Sequence, residues 1–555
     1  MRHRIPRRLP ALGGLFLALC GSLATAQVGS DEPPRFDILE FVVEGDTVLG
    51  AAAIERAVYP FLGPARTAAD AEGARRALQQ AYEAAGYLSV SVGLPPQRID
   101  QGTGEVRLQV LQGVVERLKI TGAQHFLPST IRQGVPSLAP GQVPQFSEVQ
   151  QELGQLAALA PDRRITPLLA AGSNPGALDV ELKVEDTRPL HGALELNSKQ
   201  SQNTVRGRLE AAVSHDNLFQ RQHAIAANWF VSPREPAQAN VLSLLYSAPL
   251  GGPGDRLSLA YTYSDSDTPT PLGGLTVSRG TTWRLRWRDQ LNTAGSLSHA
   301  LSWGLTLRDL QDSNINVGGS SVESPSLRYP TLNLDYELNV NGSKPGRETR
   351  LGVSLGLSLP KFSARTVDCF GTPKDQFACK RDGASSRFQV LGLSAEFREP
   401  LGGNANGWLA LLRLQGQYTD MPLVSSEQVV YGGFDSVRGY YEGEQPGDTG
   451  AALRAELWTP RWQPASAISL RALAFVDQAA LHKLSALPGE TASLRLGSVG
   501  FGLRLDSGFG LSASFDWARV LHDTTLLNSA GTRQPLSGPG AGRSQRWDLS
   551  VRHAF

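Results

Sequence analysis

The sequence predicts a mainly β protein, in which a transmembrane antiparallel β-barrel of about 16 strands follows two small α+β modules. Three observations predict this architecture. The chain from about residue 190 to Phe555 is a succession of segments that alternate apolar and polar residues. The preceding part contains helical patterns and an internal repeat instead. The first 26 residues have the composition of an export signal.

The N-terminal segment predicts export across a membrane. Four arginines precede a short apolar stretch, residues 12–23, which is followed by Ala24-Thr25-Ala26. Small residues at this place fit a signal cleavage site, and the apolar stretch is too short for a comfortable membrane span. We therefore predict a signal peptide at residues 1–26 and a short N-terminal segment at 27–35.

The composition of the 555-residue chain excludes several classes of protein. Lys+Arg number 53 against 52 Asp+Glu, so nothing indicates a nucleic-acid partner. The 3 Cys exclude a disulfide-dense scaffold and a cysteine-rich metal site. Gly352-Val353-Ser354-Leu355-Gly356 matches a nucleophile-elbow pattern, but it lies in an alternating segment rather than a strand-to-helix turn. We expect no enzyme activity, no cofactor and no metal.

The two α+β modules are predicted from a repeat with an offset of 77 residues. Asp70 and Ser147 lie at that offset, and both precede helical patterns, so we predict them as N-cap residues. Each copy ends in alternating strands. The pattern predicts a β-α-α-β-β order for module 1 (residues 36–113) and for module 2 (residues 114–188).

Residues 189–555 alternate in the manner of membrane-spanning strands. In one segment Trp283, Leu285 and Trp287 share a face, and three arginines occupy the opposite face. Soluble sandwiches also alternate, but a row of arginines does not fit a dry sandwich core, and the segments approach the length of transmembrane strands. A closed barrel with an apolar exterior and a polar lumen accounts for both observations. An even strand count places both barrel ends, and the two modules, in the periplasm.

Two long connections between predicted strands have distinctive residues. Cys369 and Cys379 lie in one of them, residues 359–386, and an extracellular location favours a disulfide over two free thiols or a metal site. The other, residues 420–449, is too long for a simple surface turn. A loop of this length in a barrel protein is usually functional or forms a plug.

The second of these connections resembles a known family. It contains a Val-Arg-Gly-Tyr motif and then a Gly-Asp-x-Gly motif. Both resemble the outer-membrane transporters of two-partner secretion, of the hemolysin secretion/activation and filamentous-hemagglutinin transporter type. These belong to the superfamily of outer-membrane assembly proteins that join polypeptide-transport-associated (POTRA) modules to a barrel. The motif residues are Val437, Arg438, Gly439, Tyr440, Gly447, Asp448 and Gly450.

Further matches extend this resemblance over nearly the whole mature chain. A Leu-Pro-Pro-Gln element resembles the end of the first POTRA module of the two-partner group, which identifies modules 1 and 2 as POTRA 1 and POTRA 2. A Phe-x-Asp segment resembles the family's Phe-x-Asp-x-Gly strand motif, although Ala479 replaces the glycine. The final aromatic residue resembles the barrel signal of outer-membrane strands. The matched residues are Pro95, Pro96, Gln97, Phe475, Asp477 and Phe555.

The resemblance implies a partner for Arg438. If the loop folds into the lumen, Arg438 needs a carboxylate, because an unpaired buried cation is costly. The motif match nominates Asp477, and a bidentate pair would fix the loop in one place. The alternative is a solvated extracellular loop with an exposed Arg438. Many family members have a pore-filling N-terminal helix, but residues 27–35 are too few for one, so we expect no plug helix here.

The resemblance also implies a function. It implies an outer-membrane pore of a Gram-negative bacterium that recognises an unfolded exoprotein through its POTRA modules and translocates it without nucleotide hydrolysis. The implied partners are a large secreted adhesin or cytolysin with an N-terminal secretion domain, outer-membrane lipid, the barrel assembly machinery and periplasmic chaperones. An insertase for other barrels is the alternative, and it predicts a lateral seam near Leu194 and Phe555. An outer-membrane enzyme or a passive porin is a third hypothesis, but an enzyme would need a catalytic triad that we do not find in the sequence, and a porin has no use for the two modules.

Overall fold

The computed structural model describes residues 34–555 apart from short gaps. The predicted signal peptide and residues 27–33 of the predicted N-terminal segment lie outside the described residues. No helix among the described residues is long and apolar enough to cross a membrane. The gaps are residues 46–47, 100–102, 253, 267–269, 273–274, 278, 292–295, 312–314, 318–319, 323–324, 343, 404–405, 487–490 and 528–532.

Module 1 is an α+β domain with a three-stranded sheet. Its elements are β1 (Phe36–Ile38), β2 (Glu40–Glu44), α1 (Ala51–Val58), β3 (Gly63–Arg66), α2 (Ala68–Ala84), β4 (Ser91–Gly93) and β5 (Glu105–Leu111). In the sheet, β5 pairs in parallel with β2 and antiparallel with β4, and β1 and β3 form a separate ribbon. The apolar face of α2, with Ala74, Leu78 and Tyr82, is buried in the module core.

The predicted N-cap residues are wrong. Helix α2 begins after Thr67, and Asp70 lies in its first turn, where its carboxylate accepts hydrogen bonds from the Thr67 backbone N–H and hydroxyl at 2.8 Å each. An acidic residue three positions into a helix reaches back to the N-cap, which forms a capping box. Ser147 likewise lies inside helix α4 of module 2.

Module 2 repeats the α+β plan. Its elements are β6 (Val114–Thr121), α3 (Pro128–Gln133), α4 (Phe146–Leu159), β7 (Arg163–Ala171) and β8 (Ala177–Asp186). The sheet order is β6-β8-β7, so β7 is an edge strand. Most of module 2 forms one compact unit with the barrel. Within that unit, Gln220, in the barrel turn at residues 219–222, accepts a hydrogen bond from Leu127 N–H (3.2 Å) and donates one to the His125 carbonyl (3.0 Å).

The remainder of the chain forms a closed antiparallel barrel of sixteen strands, which confirms the predicted fold class. Its first eight strands are β9 (Leu190–Asn197), β10 (Arg208–Leu218), β11 (His223–Val231), β12 (Asn240–Pro249), β13 (Arg256–Ser264), β14 (Gly280–Gln290), β15 (Leu297–Leu310) and β16 (Leu327–Asn341). The last eight are β17 (Glu348–Ser358), β18 (Gln389–Pro400), β19 (Leu409–Tyr418), β20 (Thr449–Trp458), β21 (Ile468–His482), β22 (Ser493–Ser507), β23 (Leu511–Val520) and β24 (Gln545–Ala554). A short piece, Trp462–Ala465, continues the pairing of β20 along β21.

The barrel closes where β24 pairs with β9 over a short stretch. The pairing extends from Ser550 opposite Asn197 to Ala554 opposite Ala193, and Gly192 and Phe555 exchange two backbone hydrogen bonds of 2.8 and 2.9 Å. The neighbouring β9–β10 pairing is longer, from Leu190 to Asn197. The first and last strands are therefore hydrogen-bonded in this structure.

The two faces of the barrel wall differ as the alternation predicts. Trp283, Leu285 and Trp303 are exposed on the outer face. On the inner face Arg286 and Arg288 of β14 form ion pairs with Glu337 of β16, at 3.2 and 2.5 Å. An apolar exterior with charged pairs inside is the pattern of a membrane barrel.

Candidate functional site in the barrel lumen

The connection between β19 and β20, residues 419–448, folds into the barrel, and we call it the lumen loop. A two-stranded ribbon, Val429–Tyr431 with Gln445–Gly447, forms its stem. Its distal part, residues 432–444, contacts the inner wall of strands β20 to β23. The alternative of a solvated loop with an exposed arginine does not describe this structure, because the Arg438 side chain is 0% exposed.

Arg438 and Asp477 form a bidentate ion pair. Arg438 Nε lies 2.7 Å from Asp477 Oδ2, and Nη2 lies 2.8 Å from Oδ1. The Arg438 backbone N–H also donates to Asp477 Oδ2 at 3.1 Å. The guanidinium carbon lies 3.4 Å from the ring centroid of Phe475, so the cation also packs over an aromatic face. One carboxylate thus fixes both the side chain and the backbone of the loop at this residue.

Two more carboxylates surround Arg438. Its Nη1 lies 2.9 Å from Glu456 Oε1 on β20 and 3.6 Å from Asp516 Oδ1 on β23. Each of these acids also pairs with a wall arginine, Glu456 with Arg454 (2.8 Å) and Asp516 with Arg504 (2.8 Å). Three arginines therefore balance three carboxylates inside the wall, which limits the cost of burying the charges.

The residues beside Arg438 fit the loop against an apolar section of wall. Val437 and Tyr440 are buried with side chains of β20 to β23, and the Tyr440 hydroxyl donates to the His522 carbonyl at 2.9 Å. Gly439 has φ +92°, and a Cβ there would lie 2.9 Å from Val520 Cγ2. Only glycine has both the left-handed backbone and the space that this contact requires. The wall residues of this cluster are Ala452, Ala479, Leu481, Leu494, Leu496 and Val520.

The Gly-Asp-x-Gly motif lies at the base of the lumen loop. Asp448 is fully buried and accepts hydrogen bonds from Arg381 Nη1 (2.5 Å) and Nη2 (2.7 Å), and from Leu484 N–H (2.7 Å). Burial alone raises the pKa of a carboxyl, but the Arg381 and Gln428 hydrogen bonds hold the pKa of Asp448 below its usual value. The backbones of Gly447 and Gly450 pack against Leu481. A Cβ added at Gly447 would lie 3.0 Å from Leu481 Cδ2, and one added at Gly450 would lie 2.8 Å from it.

A titratable carboxylate lies near the tip of the lumen loop. Glu442 accepts a hydrogen bond from Phe434 N–H at 2.7 Å, and its own N–H donates to the Gln200 carbonyl in the connection between β9 and β10. Desolvation and the neighbouring Asp435 raise the pKa of Glu442 to about 7, against the opposing charge of Lys199. The tip of the loop therefore carries a group that titrates near neutral pH.

The remaining predicted site residues lie away from the lumen loop. Gln97 exchanges two 2.8 Å hydrogen bonds with the backbone of Arg107 on β5, so the segment containing Pro95 and Pro96 continues the sheet edge beyond β4. Cys369 and Cys379 form a disulfide in the connection between β17 and β18. The Phe555 ring lies over Gly192, where a Cβ would approach it to 2.4 Å.

Three residues that contact the lumen loop were not found from the sequence: Glu456, Asp516 and Arg381. For the first two the sequence offered only a general signal: both faces of β21 are apolar along Leu473–Leu481 apart from Asp477 and Gln478. A largely apolar inner face indicates that protein covers the lumen side of this strand. Arg381 has no comparable signal, since its contact depends on how two connections meet.

A possible set of metal-binding residues lies where module 2 meets the barrel. Asp162, His191 and Asp216 bring one ligand atom each within 4.8 Å of one another. His191 Nε2 lies 3.0 Å from Asp162 Oδ2 and 3.6 Å from Asp216 Oδ2. These are ordinary contact distances between an imidazole and two carboxylates, so no metal is needed to account for the arrangement.

Two family models match the chain. Residues 176–505 match the haemolysin secretion/activation protein family ShlB/FhaC/HecB, and residues 36–113 match the ShlB-type POTRA domain. The first match includes the lumen loop and Asp477, and the second covers module 1.

Relatives with similar sequences and a solved structure agree with these matches. The outer membrane transporter CdiB of Dickeya dadantii (strain 3937) is 26% identical over 434 residues, which are 76% of this chain and 71% of the relative. CdiB of Escherichia coli is 26% identical over 481 residues, 83% of this chain and 76% of the relative. The solved structure of CdiB from Escherichia coli superposes with a TM-score of 0.66 at 21% identity, covering 95% of this chain and 92% of that one.

Proposed function

The chain belongs to the haemolysin secretion/activation protein family ShlB/FhaC/HecB, and we propose that its lumen loop closes the pore at rest and leaves the lumen when cargo passes. Members of this family are outer-membrane transporters of two-partner secretion, so this chain translocates a partner exoprotein across the outer membrane, with its POTRA modules in the periplasm. The predicted family, the predicted translocation of an exoprotein and the predicted location are therefore confirmed. Family members are transporters, and we propose that this chain likewise has no enzyme activity.

The burial of Arg438 carries the proposal for the loop. A guanidinium that pairs with Asp477 and lies beside two further carboxylates holds the loop in one defined position. A loop of this length held across a barrel obstructs passage. Because the contacts are ion pairs and a small apolar cluster, rather than covalent links, the loop can detach as a unit.

Cargo recognition is assigned to the outer edge of β7 in POTRA 2. Arg163 N–H donates to the Ala160 carbonyl and Gly172 N–H donates to the Ala177 carbonyl, so even-numbered residues face β8. Backbone groups alternate sides along a strand, which leaves the N–H groups of Ile165 and Leu169 facing outward. Pro167 between them has no N–H and marks an edge position. An extended cargo segment can add to this edge by β-augmentation.

The source of energy is the cargo itself in this proposal. The periplasm offers no nucleotide supply, so we propose export without nucleotide hydrolysis. Folding of the exoprotein at the cell surface prevents its return and makes export irreversible. The proposed cargo is a large adhesin or cytolysin with an N-terminal secretion domain. Residues 1–26 are proposed as the cleaved signal peptide.

Deletion of the gene tests this function. The culture supernatant and the outer membrane of the deletion strain are quantified separately by proteomics, with and without the wild-type gene restored. Loss of one very large protein from the supernatant, with other barrels unchanged, is the expected result and identifies the cargo. A common fall of many outer-membrane barrels would instead support the insertase, and no change in either fraction would contradict both functions.

A further inference from the structure

We propose that the connection between β17 and β18, residues 359–388, is a second lock on the lumen loop, and we call it the disulfide loop. Its Arg381 holds the base of the lumen loop through Asp448, independently of the Arg438–Asp477 pair at the distal part. This inference rests on the proposed closure of the pore by the lumen loop. Arg381 is thus a positioning residue that no motif identifies.

Arg381 joins the two ends of the lumen loop. Its two terminal nitrogens bind the carboxylate of Asp448 at 2.5 and 2.7 Å, and Nη1 also donates to the Leu423 carbonyl at 2.7 Å. Leu423 lies near the start of the lumen loop, and Asp448 is its last residue. Nη2 donates in addition to the Leu484 carbonyl, at 2.6 Å, in the connection between β21 and β22. One guanidinium therefore holds together three segments between barrel strands: its own disulfide loop, the lumen loop and the connection between β21 and β22.

The pair is buried, so removing one partner costs more than it does at a surface ion pair. The Asp448 side chain is 0% exposed and the Arg381 side chain is 15% exposed. The Asp448 carboxylate has further donors in Leu423 N–H (3.0 Å) and Gln428 Nε2 (3.0 Å). Removing Arg381 leaves this carboxylate without its only paired cation among the described residues, which is the costly outcome for a buried pair.

The disulfide loop presents Arg381 from a fixed base. A hairpin, Thr366–Cys369 with Thr372–Asp375, leads into a short helix, Gln376–Lys380, and the Cys369–Cys379 disulfide joins the two. Phe377 of this helix is 1% exposed and packs against Tyr329 of β16 at a ring distance of 5.2 Å. Arg381 follows the helix directly, so the cross-link restricts where its guanidinium can move.

The apolar contacts of the two loops are continuous. Phe377 and Phe388 of the disulfide loop share one buried cluster with Leu423 and Val424 of the lumen loop. The lumen loop is therefore held at its base by packing and by an ion pair, and both contacts depend on the same disulfide-linked segment. Reduction of the disulfide is expected to weaken both.

A protease assay tests this lock in the absence of cargo. Arg438 is the only Lys or Arg in residues 419–448, so trypsin can cut the lumen loop only after Arg438, which is buried when the loop is docked. Intact cells that lack the cargo gene are treated with trypsin, and the new N terminus at Gly439 is quantified by mass spectrometry. The variants are Arg381→Gln, Asp448→Asn, both together, and Arg387→Gln as a control at an exposed arginine of the same loop.

Arg381→Gln is expected to raise cleavage after Arg438 by about tenfold or more, with Arg387→Gln at the wild-type level. The double variant is expected to match the single variants rather than multiply them, because both remove the same pair. Dithiothreitol is expected to raise cleavage in the wild type and to have no further effect in Cys369→Ser/Cys379→Ser. Wild-type cleavage in Arg381→Gln would overturn the lock.

The outcome separates the lock from the proposed function. If Arg381→Gln exposes Arg438 but no exoprotein depends on the gene, the lock stands and the secretion function fails. If an exoprotein depends on the gene but Arg381→Gln behaves like Arg387→Gln, the function stands and the lock alone is wrong.

Discussion

At the scale of single residues, Arg438 and the buried carboxylates around it depend on one another, because each compensates the charge of the other. Arg438→Ala leaves Asp477 buried without its bidentate partner, which costs about 3–5 kcal/mol for a buried pair. We expect this variant to lose export of the cargo. The barrel is still expected to insert, because the strand pairings of the wall do not include the loop. The measurement is cargo in the supernatant together with heat-modifiable barrel in the outer membrane.

Two further variants separate charge from geometry at Arg438. Arg438→Lys keeps the charge but cannot reproduce the planar bidentate contact, so it is expected to remain defective. Arg350→Ala removes an arginine whose side chain is 53% exposed and is expected to export normally. Normal export by Arg438→Ala at normal protein level would contradict the role assigned to the pair.

Gly439 provides a second residue-scale prediction. Gly439→Ala forces φ +92° on a residue with a Cβ and places that Cβ 2.9 Å from Val520 Cγ2. Gly402→Ala is the matched control, because Gly402 has φ +80° but no described atom within 4 Å of the added Cβ. We expect both variants to lose about 1 kcal/mol for the backbone, and only Gly439→Ala to increase trypsin cleavage after Arg438. Equal cleavage in the two would contradict the fitted contact.

At the residue scale, the sequence nominated a partner only where a motif match supplied one. Arg438 and Asp477 are far apart in the chain, and only the resemblance to a family connected them. Glu456 and Asp516 were missed, because their approach to Arg438 depends on the register of β20 to β23. Ala479 occupies the glycine position of the strand motif and is buried beside Leu481 in the apolar wall, so the substitution is accommodated here.

At the scale of the element, the lumen loop carries its own pH dependence. The pKa of Glu442 is raised to about 7 in the docked loop, from an ordinary value of 4.5. A carboxyl with a raised pKa favours the docked state when protonated, so docking is strongest at low pH and weakens as the pH rises through about 7. Asp448 has a lowered pKa and stays ionised over this range.

Channel recordings test the effect of Glu442. Conductance of the purified protein in planar bilayers is expected to increase between about pH 5 and about pH 8 as Glu442 ionises near Asp435. Glu442→Gln keeps the size of the side chain and removes the titration, so its conductance is expected to vary much less over the same range. The same pH dependence in Glu442→Gln would assign the effect to another group, and a decrease with rising pH would contradict the sign.

The edge strand β7 is the second element with a specific consequence. Leu169→Pro removes an outward N–H without removing a hydrogen bond to β8, because odd-numbered residues face away from β8. Leu169→Ala keeps that N–H and removes only the exposed side chain. Binding of the identified cargo's secretion domain to the full-length protein is expected to weaken about tenfold in Leu169→Pro and less in Leu169→Ala. Equal affinities would place the cargo elsewhere.

Elements were predicted well where periodicity determines them. The alternating segments became the sixteen barrel strands, because a strand that separates lipid from lumen must alternate. The helices of the modules were present but their starts were misplaced. The sequence did not identify Thr67 as the N-cap, because Asp70, three residues later, is itself a residue type that favours N-cap positions.

In the whole molecule, the division into compact units differs from the division into sequence repeats. The sequence repeat predicted two equivalent modules, yet most of module 2 joins the compact unit of the barrel. The connection includes Gln220, in a turn where Phe219, Gln220 and Gln222 all have positive φ without being glycine. Such backbone strain at a junction cannot be predicted from residue types that rarely adopt it.

In the proposed mechanism the lumen loop leaves the barrel when cargo passes. The decisive measurement is trypsin cleavage after Arg438 in intact wild-type cells, with and without production of the identified cargo. We expect protection of Arg438 in cells without cargo and a new N terminus at Gly439 during export. Continued protection of Arg438 while the cargo is exported at its full rate would contradict it.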